Sequence, residues 1–368
     1  MKLFKKTFLF FTILLTCLSV FNFSSAKEID KSTDTLLQSK VLEIIKDEVR
    51  EIPGMDTETI YQLLSVEILE GDNIGQKIIA ENDYIKLNEG DKFLLLQSIN
   101  PETGEITYTV HDFYRLPILY IFLGIFILSI IVLGGIQGVR GFVALAISLF
   151  FIIYLLLPGI LAGHSPILIS LGVSSLIVII GSYITHGVNK TTSSAVLGMI
   201  ITIFITGILA FIAVHFGKLS GFNSEGSVYL NFSTNGNIDF AGLLLGAILI
   251  GLLGILYDTS ISQAIAVEEL HRAAPHLSKL AIYKRALRMG REHIGALINT
   301  LAIAYVGVSL PLLLLFYSYQ TDISEMLNRE IFATEIVRIM VGSIGLIFAV
   351  PITTLIAVFV LIKKEKTL

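Results

Sequence analysis

The chain has a single cysteine, Cys17, and little charge: Asp, Glu, Lys and Arg make up 15% of its 368 residues. Cys17 lies in an N-terminal stretch with the character of an export signal, so the rest of the chain implies no disulfide, no thiol nucleophile and no cysteine zinc site. A Gly-rich loop closing on Gly-Lys-Ser/Thr is missing, which excludes nucleotide hydrolysis by a Walker-type site. So are His-Glu-x-x-His and a Gly-x-Ser-x-Gly with a His partner, the common hydrolase signatures. A net charge of −4 offers no nucleic-acid surface, and no cofactor is implied. What fills the chain is apolar sequence, 54% of it, with a mean hydropathy of +0.79. That is far from the balance of a water-soluble domain and makes lipid part of the solvent.

Lys2, Lys5 and Lys6 precede an apolar stretch over 7–23 and the small residues Ser24-Ser25-Ala26. This is the layout of a signal peptide over 1–26; an uncleaved membrane helix is the alternative, and either one exports the residues C-terminal to it. Residues 27–116 mix acidic and basic side chains, with β-rich runs at 63–69, 76–80, 92–97 and 106–111. Turn signals separate them, at Gly71-Asp72-Asn73 and Asn88-Glu89-Gly90-Asp91 among others, so a small β-barrel or sandwich is expected. No cluster of His and carboxylates marks a catalytic centre there, which leaves ligand sensing, partner docking or a structural cap.

Seven later stretches can each span a bilayer: 117–136, 141–157, 166–184, 193–214, 240–257, 294–316 and 335–362. Each is near the roughly 20 residues a helix needs, and helices are required because lipid satisfies no open backbone group. The expected fold is thus an α-helical polytopic membrane protein of about seven spans over 117–368, preceded by a small exported β-rich domain. With the N-terminal domain outside, the inner loops fall around Arg140, around Lys190, at 258–293 and after 362. Basic residues collect there: Arg272, Lys279, Lys284, Arg285, Arg288, Arg291, Lys363, Lys364 and Lys366 join Arg140 and Lys190. The outer loops hold only Lys218 and Arg329 beside Glu225, Asp239, Asp322, Glu325 and Glu330, as the positive-inside rule expects of a cytoplasmic C-terminus.

Specific sequence is concentrated between Gly251 and Thr300. Here a Gly-rich span runs into Asp258, Thr259, Ser260, Ser262 and Gln263, then Glu269-Leu270 and Pro275. Gly290-Arg291, His293-Ile294, Asn299-Thr300-Leu301, Tyr305 and Leu310-Pro311 come after them. This pattern resembles the YibE/F-like family of bacterial membrane proteins, and the likeness extends to the N-terminal domain and the run of spans. Where the family has two adjacent acidic residues, this chain has Tyr257-Asp258. The resemblance implies a multi-pass protein of the bacterial cytoplasmic membrane that is permease-like, and hints at a second family protein as partner; a homo-oligomer is the other option.

On a continuing helix Asp258, Ser262 and Glu269 fall near one face, with Thr259 and Gln263 beside it, so a polar stripe enters the bundle. Such a stripe serves a proton or ion pathway, or else Asp258 merely caps a short interfacial helix. Ser278 can cap a helix from Lys279 to about Glu292 that carries Lys284, Arg288 and Arg291 on one face, suited to anionic headgroups or to a cytoplasmic partner. Arg291 or His293 can pair with Asp258 or Glu269, while Asn299 and Thr300 make the next span polar at its inner half. Glu335 and Arg338 can neutralise each other, Pro351 should kink the last span, and Gly242, Gly246, Gly251, Gly254, Gly342 and Gly345 read as close-packing positions. Glu268-Glu269 resembles the paired glutamates of CAAX-type membrane proteases, but Ala273 stands where that pattern needs Arg, so no enzyme is expected. The two functions left are secondary transport of an unidentified solute or ion and a non-transporting adaptor.

Overall fold

The computed structural model describes residues 35–51, 58–71, 73–99, 104–318 and 322–362. The signal peptide expected over 1–26 and the basic residues Lys363, Lys364 and Lys366 lie outside the described residues. The chain divides into two compact units, one spanning Lys27–Leu133 and one containing Gly134–Leu368.

The first unit holds five strands, β1 (Thr35–Glu51), β2 (Glu58–Ile68), β3 (Lys77–Asn82), β4 (Lys92–Ile99) and β5 (Ile106–Phe113), closed into a barrel in the order β1-β2-β3-β5-β4. All pairings are antiparallel except β3 with β5, which meet in parallel at Glu81 and Thr109. Between barrel and sandwich, the sequence left the choice open; it is a small barrel of the OB type. β2 to β5 occupy the expected runs, whereas β1 has no counterpart among them. Its apolar residues Leu37, Val41 and Ile44 are spaced like one face of a helix. Two register shifts, past Leu42 and past Ile45, explain the spacing, because each extra residue lets positions three apart face the same way. Val41 is buried and Ile44 packs on the same core of Leu64, Val66, Phe93 and Leu95. Inside it, the buried Gln62 amide accepts from Leu87 N at 3.0 Å and from Asn82 Nδ2 at 2.9 Å, and donates to Leu87 O at 3.0 Å. Those bonds satisfy both amides and pin the β3–β4 loop across the barrel.

The helices are α1 (Leu116–Phe151), continued by a π-helical turn (Ile152–Leu156) and α2 (Leu157–Leu161), then α3 (Pro166–His186), α4 (Lys190–Phe216) and α5 (Glu225–Ser233). After them come α6 (Phe240–Ala273), α7 (Lys279–Val308), α8 (Leu310–Ser318), α9 (Ile323–Asn328) and α10 (Glu330–Leu361). Among the described residues, five helical runs are long and apolar enough to cross a membrane: Leu116–Leu161, α3, α4, α6 and α10; α7 and α8, bent by 63° at their junction, make a sixth when counted as one. The expected spans 117–136 and 141–157 therefore lie in one helical run, with no loop at Arg140. Gly135 interrupts that run at φ 53, ψ −146, a backbone conformation open only to glycine. The expected loop at 258–293 is mostly helix as well: α6 continues to Ala273 and α7 starts at Lys279, behind Ser278, whose hydroxyl accepts from Ala281 N at 3.2 Å. The stretch over 264–273 is rich in Ala, Glu and Leu, strong helix formers that carry the span onward once it has begun.

In the second unit α4, α6 and α10 pack on one another, with α3 against α4 and α6, and α7 against α10 and α6. Leu249, Leu252, Leu256, Met199, Ile203 and Leu346 form the centre. Close approach depends on small residues, as it must where lipid supplies no hydrophobic drive between helices. A Cβ at Gly198 would collide with Thr353, one at Gly345 with Thr206. Of the six glycines read as packing positions, five meet a neighbour; Gly254 faces open space. Near the start of α10, Arg338 pairs with Glu335 at 3.3 Å as the spacing allowed, and also sits 5.5 Å from the centre of the Tyr305 ring. Glu330 accepts from the amides of Ser220 (2.7 Å) and Gly221 (2.8 Å), holding the loop after α4 to the start of α10.

Candidate functional site

The polar stripe of α6 reaches a cavity of about 130 Å³ enclosed by α6, α7 and α10. From α6 come Asp258, Thr259, Ser262 and Gln263; from α7, Met289, Gly290, His293 and Leu297; from α10, Val350. Asp258, Ser262 and Ala266 line up at i, i+4, i+8, and Thr259 and Gln263 form the neighbouring row, so two turns of α6 supply all of the first wall.

Each wall is fixed by the layer behind it. Gln263 is buried and donates to Ala286 O of α7 at 3.1 Å, which ties the two helices at the floor of the cavity. Gly290 is what lets them come so close: a Cβ there would collide with the Gln263 amide and the Val350 side chain. Thr259 returns its hydroxyl to Ile255 O at 2.7 Å, which satisfies it without a partner helix. Beside it Ser260 and Thr353 share a hydroxyl contact at 3.3 Å, joining α6 to α10. Val350 precedes Pro351, which has no amide hydrogen to give Ile347, so α10 carries an open carbonyl next to this wall. Asp258, Ser262, Met289 and His293 are the exposed members, and no hydrogen bond or ion pair engages the Asp258 carboxylate among the described residues.

Five of the nine residues singled out in the sequence thus meet at one cavity: Asp258, Thr259, Ser262, Gln263 and His293. The other four do not. Glu269, on the exposed side of α6 nearly three turns further on, pairs with Arg272 at 3.0 Å. Arg291 is exposed with Lys284 and Arg288, and no ion pair joins it to Asp258 or Glu269. Asn299 and Thr300 are exposed further along α7, Thr300 bonding back to Ala296 O at 2.9 Å. Asp258 sits inside α6 and caps no helix. Sequence reasoning missed Met289, Gly290, Leu297 and Val350 as wall residues. Gly290 stood in the motif, but nothing in the sequence alone pairs it with Gln263. Among the described residues no group of three or more His, Cys, Asp or Glu is placed to hold a metal ion.

The cavity lies within the stretch 122–363, which matches the family model described as YibE/F-like protein. The chain belongs to the YibE/F-like family. The matched stretch takes in the helices from within α1 to the end of α10, and the barrel falls outside it. Neither a curated protein nor a solved structure matches the chain. The polar cavity is thus a feature of the YibE/F-like part of the molecule.

Proposed function

We propose that this membrane protein is permease-like, with the α6–α7–α10 cavity as part of a pathway for a small solute or ion. The observation that carries the reading is a carboxylate without a partner among the described residues, Asp258, beside Ser262, Gln263 and His293 in a helix of membrane-spanning length. An ionisable group in such a place is retained for function more often than for stability. Pro351 next to the wall gives α10 a point at which to bend.

The reading takes the chain through the bilayer seven times. A 46-residue run, Leu116–Leu161, is about 69 Å long at 1.5 Å per residue, more than twice the roughly 30 Å of hydrocarbon, so it is two crossings divided at Gly135. α3, α4, α6, α7 with α8, and α10 are the other five. The barrel is then exported behind a signal peptide, and the ends of α6 and α7 near Ala273 and Lys279 face the cytoplasm.

A second reading, a non-transporting adaptor, is favoured by the exposed Lys284, Arg285, Arg288 and Arg291 of α7, for which no ion pair is formed among the described residues. These would rest on anionic headgroups or on a partner, a second family member or another copy of this chain. Purified protein in liposomes, followed with pH- and cation-sensitive dyes, separates the two. Transport predicts flux in the wild type and at least about a tenfold loss (1.4 kcal/mol of barrier) in Asp258→Asn. No flux for any tested ion or solute sinks the pathway and leaves the adaptor.

A further inference from the structure

A second stripe of α6, pointing away from the polar cavity, consists of Ile250, Gly254, Tyr257, Ile261, Ile265 and Glu268. Their spacing of three and four residues places them along one side of the helix. Two cavities share this stripe. One, of about 370 Å³, lies between residues 141–152, α3 and α6, with apolar walls such as Leu145, Ile177 and Leu253. The other, of about 500 Å³, starts a turn further on, where α3 gives way to α4, and is the more polar of the two: His186, Asn189, Lys190, Thr191 and Glu268 line it beside Ile261 and Ile265. Tyr257 borders the first and His186 the second, their rings 5.9 Å apart.

From Ile250 to Glu268 the helix rises about 27 Å. One leaflet, half of a bilayer about 40–45 Å thick, is about 20–22 Å deep. The stripe is therefore long enough to take one lipid, apolar toward the middle and polar at the end. Charge sets the kind of lipid. Lys190 is exposed and has no ion pair among the described residues. The carboxylate of Glu268 accepts from the Thr191 hydroxyl at 2.6 Å and pairs with Arg272 at 3.1 Å, a guanidinium it shares with Glu269, so Lys190 is left as the lining cation that no carboxylate engages. A phosphate diester matches that end, and an acyl chain matches the other.

We propose that this groove binds one glycerophospholipid, an acyl chain lying against Gly254 and Tyr257 and the phosphate at Lys190. The site is independent of the transport reading. Gly254 allows a direct test, because no atom lies within 4 Å of where its Cβ would be, so a larger side chain fills the groove without touching the helix packing.

The full chain, purified in detergent, is mixed with phosphatidylglycerol or phosphatidylethanolamine, and bound lipids are counted by native mass spectrometry. The wild type and a control, Lys218→Glu, should each retain one lipid more than Gly254→Leu and Lys190→Glu, with elution and melting unchanged. Equal retention in all four overturns the proposal. So does loss in Lys190→Glu alone, because that makes the polar end an anion site without an acyl groove. Should Gly254→Leu not fold, Gly141→Leu, which also projects into open space on the facing helix, takes its place.

Discussion

Gly290 and Asp112 each isolate one physical effect. Gly290 is the contact at which α7 meets both Gln263 and Val350, so a single methyl has nowhere to go. Gly290→Ala should push α7 away, break the Gln263–Ala286 bond and cost about 1–3 kcal/mol, the usual penalty of overpacking. Gly295→Ala, on the same helix with nothing within 4 Å of the new Cβ, should leave stability unchanged or slightly raised. Thermal melting of the two variants in one detergent gives the comparison, and equal melting temperatures would refute the assigned contact. In the barrel unit, Arg115 donates to Asp112 at 2.5 Å and the Phe113 amide donates at 2.8 Å, which together hold the Asp112 carboxyl below its ordinary value. A carboxyl lowered in the folded state adds stability above its unfolded value of about 3.9 and loses it as pH falls through the lowered value. Arg115→Ala should therefore move the Asp112 titration upward, as carboxyl-detected NMR would record.

At the level of elements, the sequence and the structure part where a local rule has two outcomes. β1 was not among the expected runs, because bulges at Leu42 and Ile45 shift the strand parity, and bulges leave no composition signal. β2 to β5 alternate cleanly between turn residues and were legible. The basic helix behind Ser278 was legible too, since a cap with a charged face after it is a local pattern. The meeting of Gln263, Gly290 and Val350 was not, because it depends on how three helices pack. Gly135 belongs there in part: the first expected span ends at 136, one residue beyond it, but that the helix resumes at once, with only φ 53 and ψ −146 at Gly135 to mark the break, depends on the backbone. No atom lies within 4 Å of its would-be Cβ, so Gly135→Ala tests backbone strain alone. It should cost about 1–3 kcal/mol if the break is kept, or straighten the helix there. Spin labels placed at Leu128 and Phe142 would report the second outcome as a longer distance than in the parent protein; no change in either distance or stability would show that the break is not held by this residue.

For the whole molecule, the proposed seven-crossing topology turns on whether the run Leu116–Leu161 crosses once or twice. If the run Leu116–Leu161 crosses twice, the barrel lies on the same side as the loops after α4 and before α10. If it crosses once, the barrel lies with the α3–α4 turn and the basic face of α7, and the excess of Lys and Arg would sit with the barrel. Charge bias argues for two crossings, because Lys190, Lys284, Arg285, Arg288 and Arg291 then share the cytoplasmic side. Native cysteine is no obstacle to the measurement, since Cys17→Ser removes the only one. In that background Glu51→Cys, Lys218→Cys and Glu325→Cys, all at exposed positions, should react with a membrane-impermeant maleimide on intact cells. Lys190→Cys and Arg288→Cys should react only after permeabilisation. The informative pair is Glu51→Cys with Lys218→Cys: Glu51→Cys labelled on intact cells and Lys218→Cys only after permeabilisation would make the first run a single crossing and invert the helical unit, placing the α7 cations away from the cytoplasm.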